Sequence, residues 1–407
     1  MKRLLLLVTC FLAIACTIND KKGEEEVSVP VIETGSLKPM PDEWIDKDTQ
    51  HKIIKLTRRP GASRSFYFHN NPFIDQPDEE GDLMVFYGEA DSLMQLFVVN
   101  LKTLEITQLT NHPHQIRGEI VAPARREVFY QSNDSVFATH IDTKDTRLIF
   151  VFPEDFKAGI TTLNSDETLL AGSYADPIKN EIYKNHPQKS DYFTLIYEAK
   201  IPHTLFTLNI ETGELTKLYS EKAWLNHVQF SPTDPNLLMY DHEGPWHLVD
   251  RIWLINVRTG ENQLMHKREM EMEIAGHEFF SRDGKTIWYD LQKPRGETFF
   301  LAGRNIETKK LTTYQMDRDE WSIHFNISPD QTLFAGDGGD STQVAHAKNG
   351  RWIYLFTPSG DSLKSEKLVN MKYHGYRPLE PNVHFSPDGK WIIFRSDFDG
   401  TANIYAV

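Results

Sequence analysis

The stretch that decides the fold is His384-Phe385-Ser386-Pro387-Asp388-Gly389-Lys390-Trp391-Ile392-Ile393-Phe394-Arg395-Ser396, followed by Asn403-Ile404-Tyr405-Ala406-Val407. It reads as the end of one strand, a tight turn, an alternating strand, a short loop and a second strand. Pro387 presets the φ of the turn and Gly389 supplies a positive φ. Working outward, the same unit recurs at Phe280-Ser281-Arg282-Asp283-Gly284, at Phe230-Ser231-Pro232-Thr233-Asp234 and at Ile327-Ser328-Pro329-Asp330. Fainter copies begin near Asn164-Ser165-Asp166, Ala122-Pro123-Ala124 and Glu80-Gly81-Asp82. Second strands often close on a turn such as Asn209-Ile210-Glu211-Thr212-Gly213 or Asn256-Val257-Arg258-Thr259-Gly260. Short strands repeated in this way predict an all-β chain, a seven-bladed β-propeller. A tandem of β-sandwiches is the competing architecture. Because the last strand runs to residue 407, closing the ring calls for the segment Ile53 to Leu56 to pair into the final blade and cover the open edges. No helical period of useful length stands out, and no Rossmann, P-loop or Gly-x-Ser-x-Gly motif is present.

Composition agrees with a packed globular body: of 407 residues 40% are hydrophobic, 25% charged and 12% aromatic. The net charge of −14 argues against a nucleic-acid partner, which calls for a positive field. Met1-Lys2-Arg3 followed by the apolar run Leu4 to Ala15 has the form of a signal peptide, residues 1–15. The run ends in Leu12-Ala13-Ile14-Ala15-Cys16, which resembles a bacterial lipobox. Cleavage there leaves Cys16 lipidated and predicts an exported, membrane-anchored lipoprotein of a Gram-negative periplasm or outer membrane. Cys10 departs with the signal, so the mature chain has no disulfide. Residues 16–44 are expected to be the lipidated cysteine and a flexible tether, and residues 45–407 the propeller.

A propeller does not define a chemistry; the site must. The first strand of each blade lines the central channel, so polar residues just before the Phe-Ser-Pro-Asp turn converge from several blades. Candidates are His69 with Asn70 and Asn71, His227, His277, His324, and the set Glu380, Asn382 and His384. The densest run is Asp241-His242-Glu243-Gly244-Pro245-Trp246-His247-Leu248-Val249-Asp250-Arg251, predicted as an interstrand loop. Gly-Pro fixes its bend, and a histidine there is suited to act as a base at neutral pH. Glu243 and Asp250 with Arg251 read equally well as ion pairs that lock the loop.

These residues carry a resemblance. Phe68-His69-Asn70-Asn71, Leu225-Asn226-His227, His242-Glu243-Gly244-Pro245 with Leu248-Val249-Asp250, His277-Glu278-Phe279-Phe280, Gly336-Asp337-Gly338-Gly339-Asp340 and Phe394-Arg395-Ser396-Asp397-Phe398-Asp399-Gly400 resemble the oligogalacturonate lyase family of pectin-degrading bacteria. The Ser-Pro-Asp-Gly repeat alone also marks TolB-like propellers. The resemblance implies a seven-bladed propeller with a manganese-type divalent ion in the channel. It assigns the base to His242 and one metal ligand to His277. The family's remaining ligands, a Gln-x-x-His-x-His stretch, fall here on Arg377, Glu380 and Asn382. Glu380 and Asn382 remain oxygen ligands suited to Mn²⁺ or Ca²⁺. His384 shares a strand face with Asn382 and stands as a substitute ligand. His69, His227, Arg377 and Asp340 are the expected substrate contacts. The implied reaction is β-elimination of a uronate oligosaccharide such as digalacturonate: the C5 proton is removed while the neighbouring carboxylate is neutralised by a cation. The rival readings are a lyase for another uronate oligosaccharide and a non-catalytic TolB-like binding propeller.

Overall fold

The computed structural model describes residues 29–77 and 80–407. The signal segment 1–15, Cys16 and the tether up to residue 28 lie outside the described residues. Among those described, the strands form six sheets. The eight-stranded sheet is two four-strand meanders joined through one parallel bridge, Gln315↔Ser362. Counted separately, they give seven units, antiparallel apart from the added strand Val31–Ile32.

The turns form as their residues dictate. Ser386 Oγ donates to Asp388 Oδ1 at 2.6 Å and accepts from Trp391 N at 3.0 Å, while Gly389 takes φ +70°. Ser281 repeats both bonds, to Asp283 Oδ1 at 2.7 Å and from Thr286 N at 2.9 Å. Asn209, Asn256 and Asn305 each cap an outer turn through Oδ1, accepting two backbone N–H groups apiece. Apolar clusters fill the space between successive sheets; Phe129, Phe152, Phe156, Leu170 and Phe206 make one of them.

Ring closure follows the expectation and extends it. Ile54 pairs with Ala406 and Lys55 with Tyr405, antiparallel, so the last sheet contains strands from both ends of the chain. Part of the segment expected as tether joins the last sheet. Glu43–Asp46 adds outside Lys52–Lys55, and Val31–Ile32 adds parallel to it. Thr34 Oγ1 donates to buried Asp46 at 2.6 Å and accepts from Trp44 Nε1 at 2.8 Å. Residues 30–44, expected to belong to the tether, therefore belong to the folded body. The polar composition of this segment hid two apolar anchors, Met40 and Trp44, both buried.

A second departure is helical. Ile178–Asn185 and Lys189–Ala199 form a hairpin inserted between strands Leu169–Ala175 and His203–Asn209. The first helix buries no residue and the second buries only Ile196. Its apolar face is thus too faint to register as a helical period. The hairpin docks through half-buried Tyr183, Tyr192 and Phe193 around Trp224.

The inner strand of the first unit is broken. Between Ser63–Arg64 and Phe73–Ile74 the chain leaves the sheet and crosses the ring axis. Phe68 N donates to Asn382 Oδ1 at 2.9 Å, and Phe68 O accepts from Asn326 Nδ2 at 3.0 Å. Its ring packs 5.9 Å from Phe279 and 4.7 Å from His324. Phe68 thus fills the middle of the channel.

Trp44 is fully buried and packs edge-on against Tyr405 at 5.7 Å. Trp44→Ala should lower the unfolding free energy by about 3–5 kcal/mol, measured by urea denaturation of a form starting at residue 29.

Candidate functional site

Three inner strands kink at the same place. His227 and His277 have φ of +43° and +51°, and the strand register slips there, between Asn226 and Gln229 and between Gly276 and Phe279. Asn382, at the equivalent position, has φ +49°. A left-handed residue in a bulge re-aims its side chain, at a cost of about 1–3 kcal/mol each. The bulge turns these side chains into the channel. His324 holds the same repeat position without the positive φ.

Two of the histidines are anchored identically. His277 Nδ1 lies 2.7 Å from Asp290 Oδ1, and His324 Nδ1 lies 2.8 Å from Asp337 Oδ2. A carboxylate at Nδ1 holds the proton there and leaves Nε2 as a free lone pair. The rings stand 5.1 Å apart, nearly perpendicular. His324 Nε2 is buried and has no hydrogen-bond partner, with Glu380 Oε2 at 3.8 Å. Burial pushes His324 well below its usual value and Asp337 up to about 7. Two imidazoles, each anchored by an aspartate, and Glu380 near one of them are donor types that a divalent cation takes.

Next to them lies a buried charge cluster. Arg251 Nη1 reaches Glu243 Oε1 at 2.7 Å, its Nε reaches Glu278 Oε2 at 3.0 Å, and its Nη2 pairs with Asp241. Arg251 is 3% exposed. Burial drives Asp241 up, with Arg251 opposing; Glu243 goes the other way, held well down by Arg251 and His227 against its own burial. Glu243 Oε2 lies 3.4 Å from His227 Nε2, and Glu243 Oε1 accepts from Trp246 Nε1 at 3.0 Å. Donor atoms of His227, Asp241 and Glu243 fall within 4.8 Å of one another, a grouping with metal-ligand chemistry. The Arg251 guanidinium already supplies positive charge beside that grouping. Tyr67 stands between the two groups, its ring 6.1 Å from that of His227 and 5.0 Å from that of His324.

The expected residues divide. His227, His277 and Glu380 are brought together. His242 is not: strand alternation turns it to the face opposite Asp241 and Glu243. Its Nε2 faces Glu221 Oε2 at 3.1 Å and its ring lies 5.1 Å from Trp253. The imidazole that lies beside the cluster is His227. Asn382 spends its amide inside the fold, accepting from Phe68 N and donating to Glu380 O at 3.1 Å. His384 lies on the far side of Phe68, its ring nitrogens facing the carbonyls of Asn382 and Asn70 at 3.1 and 3.2 Å. With His69, Asn70 and Asn71 it lines a separate cavity of about 350 Å³ at the other mouth. Burial lowers His69 to about 3 and His384 to about 4, so both are neutral at pH 7. Asp340 is locked in a turn by Thr342 Oγ1 at 2.6 Å and Arg351 at 3.1 Å. Arg377 is exposed, outside the buried cluster. Asp250 pairs with Arg268 at 3.3 Å rather than with Arg251. The sequence placed His324 among the channel candidates through its repeat position but assigned it no role, and it gave no signal for Tyr67 or Glu278.

Fold and site together define a propeller whose channel holds a histidine–carboxylate constellation suited to acid–base chemistry. The family model described as oligogalacturonate lyase matches residues 41–407. The oligogalacturonate lyase of Dickeya dadantii is 26% identical over 88% of this chain and 94% of its own length. The oligogalacturonide lyase of Pectobacterium atrosepticum is 27% identical over the same shares. A solved oligogalacturonate lyase from Vibrio parahaemolyticus, 25% identical, aligns with a TM-score of 0.75 over 89% of this chain and 95% of that one. An oligogalacturonate lyase solved in complex with manganese shares the fold, with a TM-score of 0.75 over 90% of this chain and 95% of that one at 24% identity. The chain belongs to the oligogalacturonate lyase family, a family of polysaccharide lyases.

Glu278 is held down to about 2 by Arg251 and His227, against the effect of its burial. Its folded value lies below the ordinary 4.5, so the stability it contributes is complete above pH 4.5 and is lost as the pH falls through about 2. Arg251→Met should cost about 3–5 kcal/mol at pH 7 and should remove this acid-side slope, seen as urea midpoint against pH.

Proposed function

We propose that the chain cleaves short uronate oligosaccharides of the pectin-derived type by β-elimination, and that His227, rather than His242, takes the proton. The observation that carries this reading is the placement of the His227–Glu243 pair beside His277, His324 and Glu380 in one mouth of the channel. His277, His324 and Glu380 would hold a divalent ion, manganese by analogy with the solved relative's complex. Such an ion supplies positive charge to the uronate carboxylate and so makes the neighbouring C5–H more acidic.

The protein's own groups do the rest. Glu243 faces His227 Nε2 at 3.4 Å, which fixes the ring and stabilises the imidazolium formed on proton uptake. Arg251 fixes Glu243, so the base stands on a buried, hydrogen-bonded support. Asp290 and Asp337 keep the protons of His277 and His324 at Nδ1. The C5 proton passes to His227, the C4=C5 double bond forms, and the glycosidic oxygen leaves C4 to be protonated by solvent. The product is an unsaturated uronate. The chain reaches this substrate, on our reading, as a lipoprotein anchored through Cys16, a modification that the mass of the mature N-terminal peptide would display.

The test is turnover of digalacturonate by the form starting at residue 29, followed through absorbance of the new double bond with Mn²⁺ or Ca²⁺ added. Metal analysis accompanies it. His277→Ala should lose the bound ion, while His227→Ala should keep it and lose about 10²–10⁴-fold in kcat. His242→Ala should retain turnover. Absence of any signal from the wild type with either metal overturns the reading.

A further inference from the structure

We infer that the helical hairpin Ile178–Ala199 builds a second sugar position beside the reaction site, one that takes an additional uronate residue by its ring face and its carboxylate. This rests on the function proposed above. Trp246 is the link. Its Nε1 is tied to Glu243 at 3.0 Å, and its ring stands 5.9 Å from that of His277. On its other side Phe193, from the second helix, lies edge-on at 6.3 Å. Both rings are half-buried, so each presents part of its surface to solvent. The hairpin is seated on the loop itself: a Cβ on Gly244 would come within 2.7 Å of Tyr197 Cδ2. The helices therefore pack closely against the turn that positions Glu243.

The charge is as specific as the surface. Lys189, at the start of the second helix, holds its Nζ 5.5 Å from the Phe193 ring and 6.0 Å from the Trp246 ring. It is exposed and has no carboxylate partner among the described residues. In a chain with 58 acidic and 44 basic residues, an ammonium left free beside the reaction site is a place where an anion gains locally what the overall field denies it. A pyranose has one face lined by C–H groups, which packs on aromatic rings. An aromatic step with a cation above it therefore suits an acidic sugar and discriminates against a neutral one. The step runs outward from His277 through Trp246 to Phe193, so it serves a residue beyond the bond being cleaved.

The experiment compares di- and trigalacturonate on the wild type, Lys189→Ala, Lys189→Arg and Phe193→Ala. These side chains lie outside the proposed catalytic groups. Lys189→Ala and Phe193→Ala should each raise KM for the trimer about five- to tenfold, leaving kcat and both dimer constants unchanged. Lys189→Arg should keep the trimer's advantage. Equal effects on dimer and trimer, or no effect on either, overturn the subsite. If the wild type fails to turn over the dimer, the proposed reaction has failed. Calorimetric titration then decides the subsite separately: trigalacturonate should bind the wild type more tightly than Lys189→Ala, and a neutral trisaccharide should show no such difference. A neutral trisaccharide that binds equally well overturns it.

Discussion

The site depends on a single buried cation. Arg251 is enclosed by Asp241, Glu243 and Glu278, which come from two neighbouring sheets. Three carboxylates that close would repel one another in a low-dielectric interior, and one guanidinium cannot neutralise them all. The compromise is visible in their opposite tendencies: Asp241 is driven toward its neutral form, while Glu243 and Glu278 stay ionised. What remains is an ionised Glu243 aimed at His227. The same contacts tie the His-Glu-Gly-Pro loop to the adjoining sheet, so the geometry of the imidazole and the rigidity of the loop have one cause.

The second constraint is the repeated bulge. Each inner strand must bring a polar group to the channel without turning its apolar neighbours out of the blade interface. A residue forced to positive φ solves this locally, since it re-aims one side chain and returns the strand to register. His227, His277 and Asn382 all use it. The function of the ring is thus written at one repeat position, and differences between blades at that position are differences in chemistry. Here the position carries His, His, His and Asn. The asparagine is absorbed in holding Phe68, and the third histidine has the free nitrogen that Asn382 lacks.

Much of this was legible in the sequence for a physical reason. Ser-Pro-Asp-Gly turns satisfy their own backbone groups with their own side chains, so their geometry is local and the repeat they mark is reliable. Channel histidines just before those turns follow from the repeat, and ring closure by Ile53 to Leu56 follows from the need to cover an edge. The failures were non-local. His242 lies in the motif most suggestive of chemistry, yet which face of a strand a residue takes is set by register, and its neighbours Asp241 and Glu243 own the face toward Arg251. Alternation puts His384 and Asn382 on one face, but the Asn382 amide is taken up by Phe68 N while the His384 ring nitrogens face backbone carbonyls. The helical hairpin is faint in the sequence because its two helices are short and bury only Ile196 between them.

Phe68 also decides how material moves. It sits across the ring with its backbone held on both sides, by Asn382 and Asn326, so the hole that the architecture advertises is stoppered. A polymer cannot be threaded through such a toroid. Whatever enters beside His227 meets a wall and must back out by the same door.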